Sequence, residues 1–323
     1  MEAIRLDGNS LQYVREQTPE LCLAAILQTP YAFIYVKDQT PTLCLTAVRL
    51  WGLGLQYVKT QTLEICMVAV QQQGFALGWV SEQTPKMCLT AVRRQGRSLR
   101  YVKFQTPKLC RIAVTQDWTA LRYVQDQTAE VINVALQRSA HAFRYVRVQN
   151  PELCLAVVRK DPQLFRYVLD QTPEMCREIL EKFPYCLSHI KDQARELCLE
   201  MVKKHGWTVG CIRNQTLEMC LIAVRQRGRT LRSVVDRTPE VCLAALENDG
   251  SAMMYVKCQS LTLCLAAVRQ CGLNLRYVYD RTAEVCVAAC LQDPAAVKYV
   301  LDVQLREAIS DAIANGSLIT MRS

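Results

Sequence analysis

The chain repeats itself every 22 residues. The dipeptide Tyr-Val begins at residues 13, 35, 57, 101, 123, 145, 167, 255, 277 and 299, and Trp-Val begins at residue 79. His-Ile, Cys-Ile and Ser-Val fill the same pair at residues 189, 211 and 233. A stack of similar structural units requires this constant spacing, because each unit must present the same face to its neighbour. We number repeat positions 1 to 22 from the first residue of this pair.

Repeat positions 6 and 7 predict where a first helix begins. Position 6 is Thr in ten units, Ser260 and Asn150 in two more, and Ala194 in one. Thr, Ser and Asn side chains cap helix N-termini. Position 7 is Pro in seven units, and Pro is favoured at the first position of a helix. The pattern predicts a helix from position 7 to about position 16 or 17.

Repeat position 18 predicts a second, shorter helix. It is Gly in eight units, which predicts a left-handed C-terminal cap on the first helix. In four units it is Pro, and Asp161-Pro162 and Asp293-Pro294 are typical of a helix start. We therefore expect a short helix over positions 18 to 3, with the basic side chains of positions 22 and 3 on one face. A strand over Leu-x-Tyr-Val is the alternative, because its residues also suit a strand.

The first helix is apolar on nearly all sides, so it must be covered by neighbours. The fold class that follows is all-α, an α-solenoid of about fourteen 22-residue two-helix repeats. We expect residues 1–12 to form an incomplete capping unit and residues 13–301 a continuous solenoid. Residues 302–323 are predicted to form a C-terminal capping helix, beginning at about Asp302, and a tail. This organisation replaces the two ordinary domains that 323 residues would suggest.

The unit Leu-x-Tyr-Val-x-x-Gln-Thr-Pro-Glu-Leu-Cys-Leu-Ala-Ala-Val-x-x-x-Gly resembles the repeat of the domain-of-unknown-function family numbered 4116. The resemblance is clearest over residues 11–28, 99–116 and 275–292, and it extends from about residue 11 to residue 303. It implies a helical-repeat protein of bacteria, including intracellular pathogens, or of large DNA viruses. It implies no catalytic residue.

Cysteine content and the start of the chain predict an environment. Seventeen cysteines follow an N-terminus without the basic and apolar regions of a signal peptide, which indicates free thiols in a reducing intracellular compartment. The bacterial, host or viral-factory cytoplasm would each fit. No apolar run reaches the length of a membrane helix, so we expect no membrane insertion. Three histidines leave little material for histidine-based catalysis.

Twelve cysteines share repeat position 10, where Ile132 replaces the thirteenth. This replacement predicts a small buried apolar side chain rather than a ligand. Because no Cys-x-x-Cys pair exists, we expect no metal and no cofactor. Better candidates for reactive thiols are the five cysteines at other positions, namely Cys186, Cys211, Cys258, Cys271 and Cys290.

Glutamine occupies repeat position 5 in eleven units, and Arg237 and Arg281 take its place in two. One interpretation is base recognition, since modular RNA-binding repeats assign one base to each unit. A specificity position should vary between units, however, and this one barely varies. We therefore expect the amide to bond backbone groups between neighbouring units.

Basic residues concentrate between residues 86 and 170, where 15 Lys or Arg and 6 Asp or Glu give a net charge of +9. The whole chain also carries +9, so the remainder is neutral. Such a segment favours an acidic partner. It could equally be a solvated face balanced by Asp at position 4. The exposed aromatic candidates beside it are Phe104 and Trp118. The candidate partner-binding residues are Arg93, Arg94, Arg100, Lys103, Arg122, Arg144, Arg147 and Arg166.

Residues 183–213 depart most from the repeat and contain His189, His205, Trp207 and Cys211. They lack the companions that a catalytic site would need, so we expect a local bend or looser packing where other units bury Tyr. The function predicted overall is a non-enzymatic interaction protein of a pathogen or virus. Its expected partner is macromolecular, a protein with an acidic surface in preference to a nucleic acid. A structural component of a virion is a further alternative.

Overall fold

The computed structural model describes residues 2–317. They fall into two compact units, the first ending at Tyr167 and the second beginning at Val168. In both units, ten-residue α-helices at repeat positions 7 to 16 alternate with six-residue 3₁₀ helices at positions 18 to 1. No strand is present in the described residues. The predicted all-α solenoid is thus confirmed, and the strand alternative for Leu-x-Tyr-Val is wrong.

The first unit contains eight α-helices and eight 3₁₀ helices within the described residues. The α-helices are α1 Glu2–Leu6, α2 Pro19–Gln28, α3 Pro41–Leu50, α4 Leu63–Gln72, α5 Pro85–Arg94, α6 Pro107–Gln116, α7 Ala129–Arg138 and α8 Pro151–Lys160. The 3₁₀ helices are Gly8–Tyr13, Pro30–Tyr35, Gly52–Tyr57, Gly74–Trp79, Gly96–Tyr101, Trp118–Tyr123, Ala140–Tyr145 and Pro162–Tyr167.

The second unit contains seven α-helices and six 3₁₀ helices within the described residues. The α-helices are α9 Pro173–Lys182, α10 Arg195–Lys204, α11 Leu217–Gln226, α12 Pro239–Asn248, α13 Leu261–Gln270, α14 Ala283–Gln292 and α15 Val303–Ala314. The 3₁₀ helices are Pro184–His189, Gly206–Cys211, Gly228–Ser233, Gly250–Tyr255, Gly272–Tyr277 and Pro294–Tyr299. Helix α15 is the predicted capping helix, whereas the end of the predicted tail, residues 318–323, lies outside the described residues.

Side-chain caps begin most of the α-helices as the sequence predicts, although the predicted cap Thr282 forms no such bond before α14. In α6, for example, Thr106 Oγ1 accepts a hydrogen bond from the Leu109 amide at 3.3 Å, and Pro107 is the first helical residue. Asn150 caps α8 in the same way at 2.7 Å. Helix α10 begins after Ala194 and has no side-chain cap. Removing such a cap typically costs about 1 kcal/mol, so the helix must rely on packing against its neighbours.

The second helix of each repeat differs from its prediction in type and length. It is a 3₁₀ helix that ends at the Tyr of position 1, and the next residue, such as Val102, is already extended at φ −72° and ψ 118°. A 3₁₀ helix has poorer hydrogen-bond geometry than an α-helix and rarely runs long. The predicted extension to position 3 is therefore wrong. Positions 22 and 3 do not share a helical face.

The glycines of repeat position 18 serve close packing rather than a left-handed cap. Among the described residues only Gly316 has a positive φ, so the predicted cap conformation is wrong. A Cβ added to Gly52 would lie 2.8 Å from the Ala69 carbonyl oxygen, in the next repeat along the chain. Real Cβ atoms do not approach backbone oxygen so closely. Glycine at this position lets the 3₁₀ helix rest directly on the following α-helix.

The core of each unit is formed by repeat positions 13, 14 and 21. Ala113, Val114 and Leu121 are each fully buried in the first unit. Ala223, Val224 and Leu231 are fully buried at the same positions in the second. Small residues at position 13 allow close approach between consecutive α-helices, and the larger residue at position 21 fills the space beside the 3₁₀ helix. None of the helices formed by residues 2–317 is both long and apolar enough to cross a membrane.

Candidate functional site

Arginine and tyrosine side chains alternate along the first unit. The Arg100 guanidinium lies over the ring of Tyr101, with its ζ-carbon 4.9 Å from the centroid, and over the ring of Tyr123 at 5.5 Å. Arg122 lies over Tyr123 at 5.1 Å and over Tyr145 at 5.6 Å. Each arginine therefore links the 3₁₀ helix that contains it to the next 3₁₀ helix along the chain.

The series ends with a third arginine. Arg144 lies over Tyr145 at 5.2 Å and over Tyr167 at 5.5 Å. We call the three guanidinium groups and the four rings of Tyr101, Tyr123, Tyr145 and Tyr167 the Arg–Tyr ladder. Guanidinium groups stack well on aromatic rings, and each exposed contact is worth about 0.5–1 kcal/mol.

The three ladder arginines are exposed, and none is paired with a carboxylate of the described residues. Within residues 2–317, the guanidinium groups of Arg100, Arg122 and Arg144 form no ion pair and donate no hydrogen bond. Stacking fixes the plane of a guanidinium while leaving its N–H edge exposed. The edge is the part that binds carboxylate or phosphate in a bidentate manner.

Other arginines of the basic segment are already paired. Arg97 Nε lies 3.0 Å from Asp117 Oδ2 and donates to Thr119 at 2.7 Å. Arg111 Nη1 lies 2.7 Å from Glu130 Oε1. The charges of Arg97 and Arg111 are therefore offset by neighbouring carboxylates, whereas those of the ladder arginines are not.

Repeat position 3 has a structural role. Lys103 Nζ donates to the Ser81 carbonyl at 2.9 Å, and Arg147 donates to the carbonyls of Val124 and Gln125 at 2.8 and 3.2 Å. In each case the acceptors lie in the preceding repeat, and they include the residue at position 3 of that repeat. These two predicted partner-binding residues thus bind backbone within the stack.

The remaining predicted partner-binding residues are dispersed. Arg93 is exposed near the end of α5, and Arg94 Nε donates to the Gln72 carbonyl at 3.2 Å. Arg166 is exposed beside Tyr167. Phe104 is 89% exposed, as predicted, whereas Trp118 is half-buried and packs 6.1 Å from the ring of Tyr145. Of the eight predicted residues, the structure brings together Arg100, Arg122 and Arg144.

Sequence reasoning missed the tyrosines as part of the site. They were expected to be buried, yet Tyr101, Tyr123 and Tyr145 are only half-buried, and arginines lie over their rings. A usable signal was present in the sequence. Arg-Tyr is itself repeated at residues 100, 122, 144 and 166, so that a cation adjoins every ring.

Glutamine at repeat position 5 bonds the next repeat, as predicted. Gln105 Nε2 donates to the Tyr123 carbonyl at 2.9 Å, and its Oε1 accepts from the Gln125 amide at 2.9 Å. Where arginine replaces glutamine, Arg237 Nη1 donates to the Tyr255 carbonyl at 2.8 Å. The amide therefore satisfies backbone groups that no regular helix bond reaches, and it is unavailable for reading bases.

The cysteines of repeat position 10 are all buried, which confirms their predicted structural role. Burial raises the pKa of thiols such as that of Cys110. Among the five cysteines at other positions, Cys186 and Cys290 are also buried, and burial raises the pKa of Cys290 to about 11. Only Cys258 of the five is exposed. The raised pKa makes Cys290 a poor nucleophile, because the reactive species is the thiolate.

Residues 183–213 retain the regular helices of the repeat, Pro184–His189, α10 and Gly206–Cys211. Leu187 and Val209 are fully buried, so the predicted looser packing is not found in this core. At repeat position 1, His189 and Cys211 are half-buried. Ser188 Oγ lies 2.8 Å from His189 Nδ1. No arginine of this stretch lies over a ring, and the ladder has no counterpart here.

We compared the chain with protein-family models, with curated proteins and with solved structures, and none of the three comparisons found a match. The resemblance to the repeat family stays a prediction.

Proposed function

We propose that this protein works by binding rather than catalysis, and that the Arg–Tyr ladder docks an acidic surface of another protein. The observation that supports this is the row of three exposed guanidinium groups, each oriented by two rings and none engaged with an anion. The resemblance to repeats of intracellular pathogens and large DNA viruses favours a host or virion protein as the partner.

Pre-ordered arginines suit this role energetically. An arginine that is free in solution loses side-chain entropy when it binds a carboxylate, at a cost of up to about 2 kcal/mol. A stacked guanidinium has already lost part of that freedom. Each new carboxylate contact is charge-assisted and bidentate, and such contacts are about twice as strong as neutral hydrogen bonds.

The geometry favours carboxylates over nucleobases. Proteins that bind single strands commonly stack bases on aromatic rings. In the ladder, Tyr123 is contacted over its ring by both Arg100 and Arg122, and Tyr145 by both Arg122 and Arg144. A base would have to displace a guanidinium from these rings. Nucleic acid is therefore the alternative that the experiment below must test.

The test is fluorescence anisotropy with labelled polyglutamate and with a single-stranded oligonucleotide of equal charge, at about 50 and 200 mM salt. We expect polyglutamate to bind, and substitution of Arg100, Arg122 and Arg144 by Gln to weaken it at least about tenfold. The matched control replaces Arg232, Arg276 and Lys298, which hold the same repeat position in the second unit, and should bind normally.

Three results would contradict the proposal. If polyglutamate does not bind at low salt, the ladder is not an anion site. Equal loss in the control variant would show a general charge effect. Tighter binding of the oligonucleotide, with the steep salt dependence of phosphate contacts, would favour the nucleic-acid alternative.

A further inference from the structure

The rings between the ladder arginines set an upper limit to their spacing. The ζ-carbons of Arg100 and Arg122 lie 5.5 and 5.1 Å from the same centroid, that of Tyr123, so they are at most about 10.6 Å apart. Arg122 and Arg144 lie 5.6 and 5.2 Å from the centroid of Tyr145, so they are at most about 10.8 Å apart. Consecutive packed helices lie about 8–10 Å apart, which is within both limits, so we take about 8–10 Å as the interval between successive ladder arginines.

Few peptide conformations present carboxylates at this interval. A β-strand places side chains on one face about every 6.7 Å, and the next same-face interval is about 13 Å. A polyproline II helix has three residues per turn and a rise of about 3.1 Å per residue, so every third side chain recurs after about 9.3 Å. An α-helix reaches about 10.5 Å with every seventh residue.

The tyrosine hydroxyl groups separate the last two conformations. Within residues 2–317, the hydroxyls of Tyr101, Tyr123 and Tyr145 donate no hydrogen bond. A polyproline II backbone has no internal hydrogen bonds, so its carbonyls are available to such donors. The carbonyls of an α-helix are already paired within the helix.

We propose that the Arg–Tyr ladder binds an acidic polyproline II segment of a partner protein, with Glu or Asp at every third residue. Arg100, Arg122 and Arg144 each bind one carboxylate, and the intervening tyrosine hydroxyls donate to peptide carbonyls. The inference rests on the proposed function, and it adds the register and conformation of the partner. One carboxylate matches one 22-residue repeat.

The test uses two labelled peptides of about twelve residues with the same composition. One repeats Glu-Pro-Pro, and the other groups its glutamates at one end. We expect the regular peptide to bind at least about tenfold more tightly than the grouped one. Arg122→Gln should remove most of this difference, because it deletes the central contact. Arg276→Gln, at the same repeat position in the second unit, should leave it unchanged.

A second variant tests the hydroxyl contacts. Replacing Tyr101, Tyr123 and Tyr145 by Phe keeps the rings that orient the arginines. It should weaken the Glu-Pro-Pro peptide several-fold while leaving polyglutamate binding unchanged. Far-UV circular dichroism of each variant should match that of the parent chain.

The outcomes separate this inference from the proposed function. Equal binding of the two peptides, or tighter binding of an α-helical peptide with Glu at every seventh residue, would overturn the polyproline II register. If polyglutamate still binds in either case, the acidic-partner proposal stands. If neither peptide nor polyglutamate binds at low salt, both proposals fail.

Discussion

Repeat positions 22 and 1 differ sharply between residues 100–167 of the first unit and residues 188–233 of the second, although the repeats around them fold alike. In the first unit they are Arg-Tyr at residues 100, 122, 144 and 166. In the second they are Ser-His at residue 188, Gly-Cys at 210 and Arg-Ser at 232, and only later in this unit does a cation again lie over a ring, with Arg276 over Tyr277 at 4.6 Å and Lys298 over Tyr299 at 5.1 Å. Helix bounds keep the same repeat positions in both stretches. Repeats without the ladder therefore form the same helices as repeats that have it.

Charge follows the same division. Residues 1–167 contain 20 Lys or Arg and 12 Asp or Glu, whereas residues 168–323 contain 19 and 18, so the net charges are +8 and +1. At a separation of about 10 Å, two neighbouring ladder arginines repel each other by about 0.4 kcal/mol in water, and salt screens the repulsion further. This cost is small, and an acidic partner would remove it. Conserving the stack while varying these two positions is how a repeat protein can change its partner.

The largest expected effect comes from a core position that the two stretches share. Leu99 and Leu231 are both fully buried at repeat position 21. Each change, Leu99→Ala or Leu231→Ala, should lower the free energy of unfolding by about 2–5 kcal/mol through lost burial and a residual cavity. Urea denaturation of both variants measures the loss. If only Leu99→Ala lost stability, the two units would not share this core position energetically. The ladder would then contribute to the stack, and the comparison of the two units would be wrong.

The sequence predicts this shared framework well because its signals are local. Thr106 and Pro107 fix a helix start through one side-chain bond and one restricted dihedral, whatever surrounds them. Gly52 was misinterpreted because a left-handed cap and a close backbone approach both exclude a Cβ, and only the neighbouring repeat distinguishes them. The stacking of Arg122 between two rings likewise depends on the distance between repeats, which no single repeat encodes.

An intermediate effect is expected at repeat position 5. Gln105→Ala leaves the Tyr123 carbonyl and the Gln125 amide without their partner, and Gln215→Ala leaves the Ser233 carbonyl and the Val235 amide. Unpaired groups of this kind cost about 1–3 kcal/mol. The two variants should lose similar stability in thermal or urea unfolding, because the bond is common to both stretches.

Gln105→Arg is the matched control for this position. Arg237 and Arg281 show that a guanidinium can donate to the same carbonyl of the next repeat. The arginine variant should therefore lose clearly less stability than Gln105→Ala. If arginine is as damaging as alanine, the bonding role assigned to this position is wrong.

The smallest effect is expected from adding one aromatic ring at residue 233, where repeat position 1 is Ser. Ser233→Tyr would place a ring beside Arg232, and Gly210 provides the space, since Gly210 faces Ser233 as Gly78 faces the ring of Tyr101. One exposed stacking contact should raise the free energy of unfolding by about 0.5–1 kcal/mol. Ser233→Leu adds apolar area without an aromatic face, so its gain should be smaller. A single ring provides one oriented cation rather than three, and the Glu-Pro-Pro peptide should bind Ser233→Tyr no better than the parent chain. Improved binding would show that the row of three is not what the peptide requires.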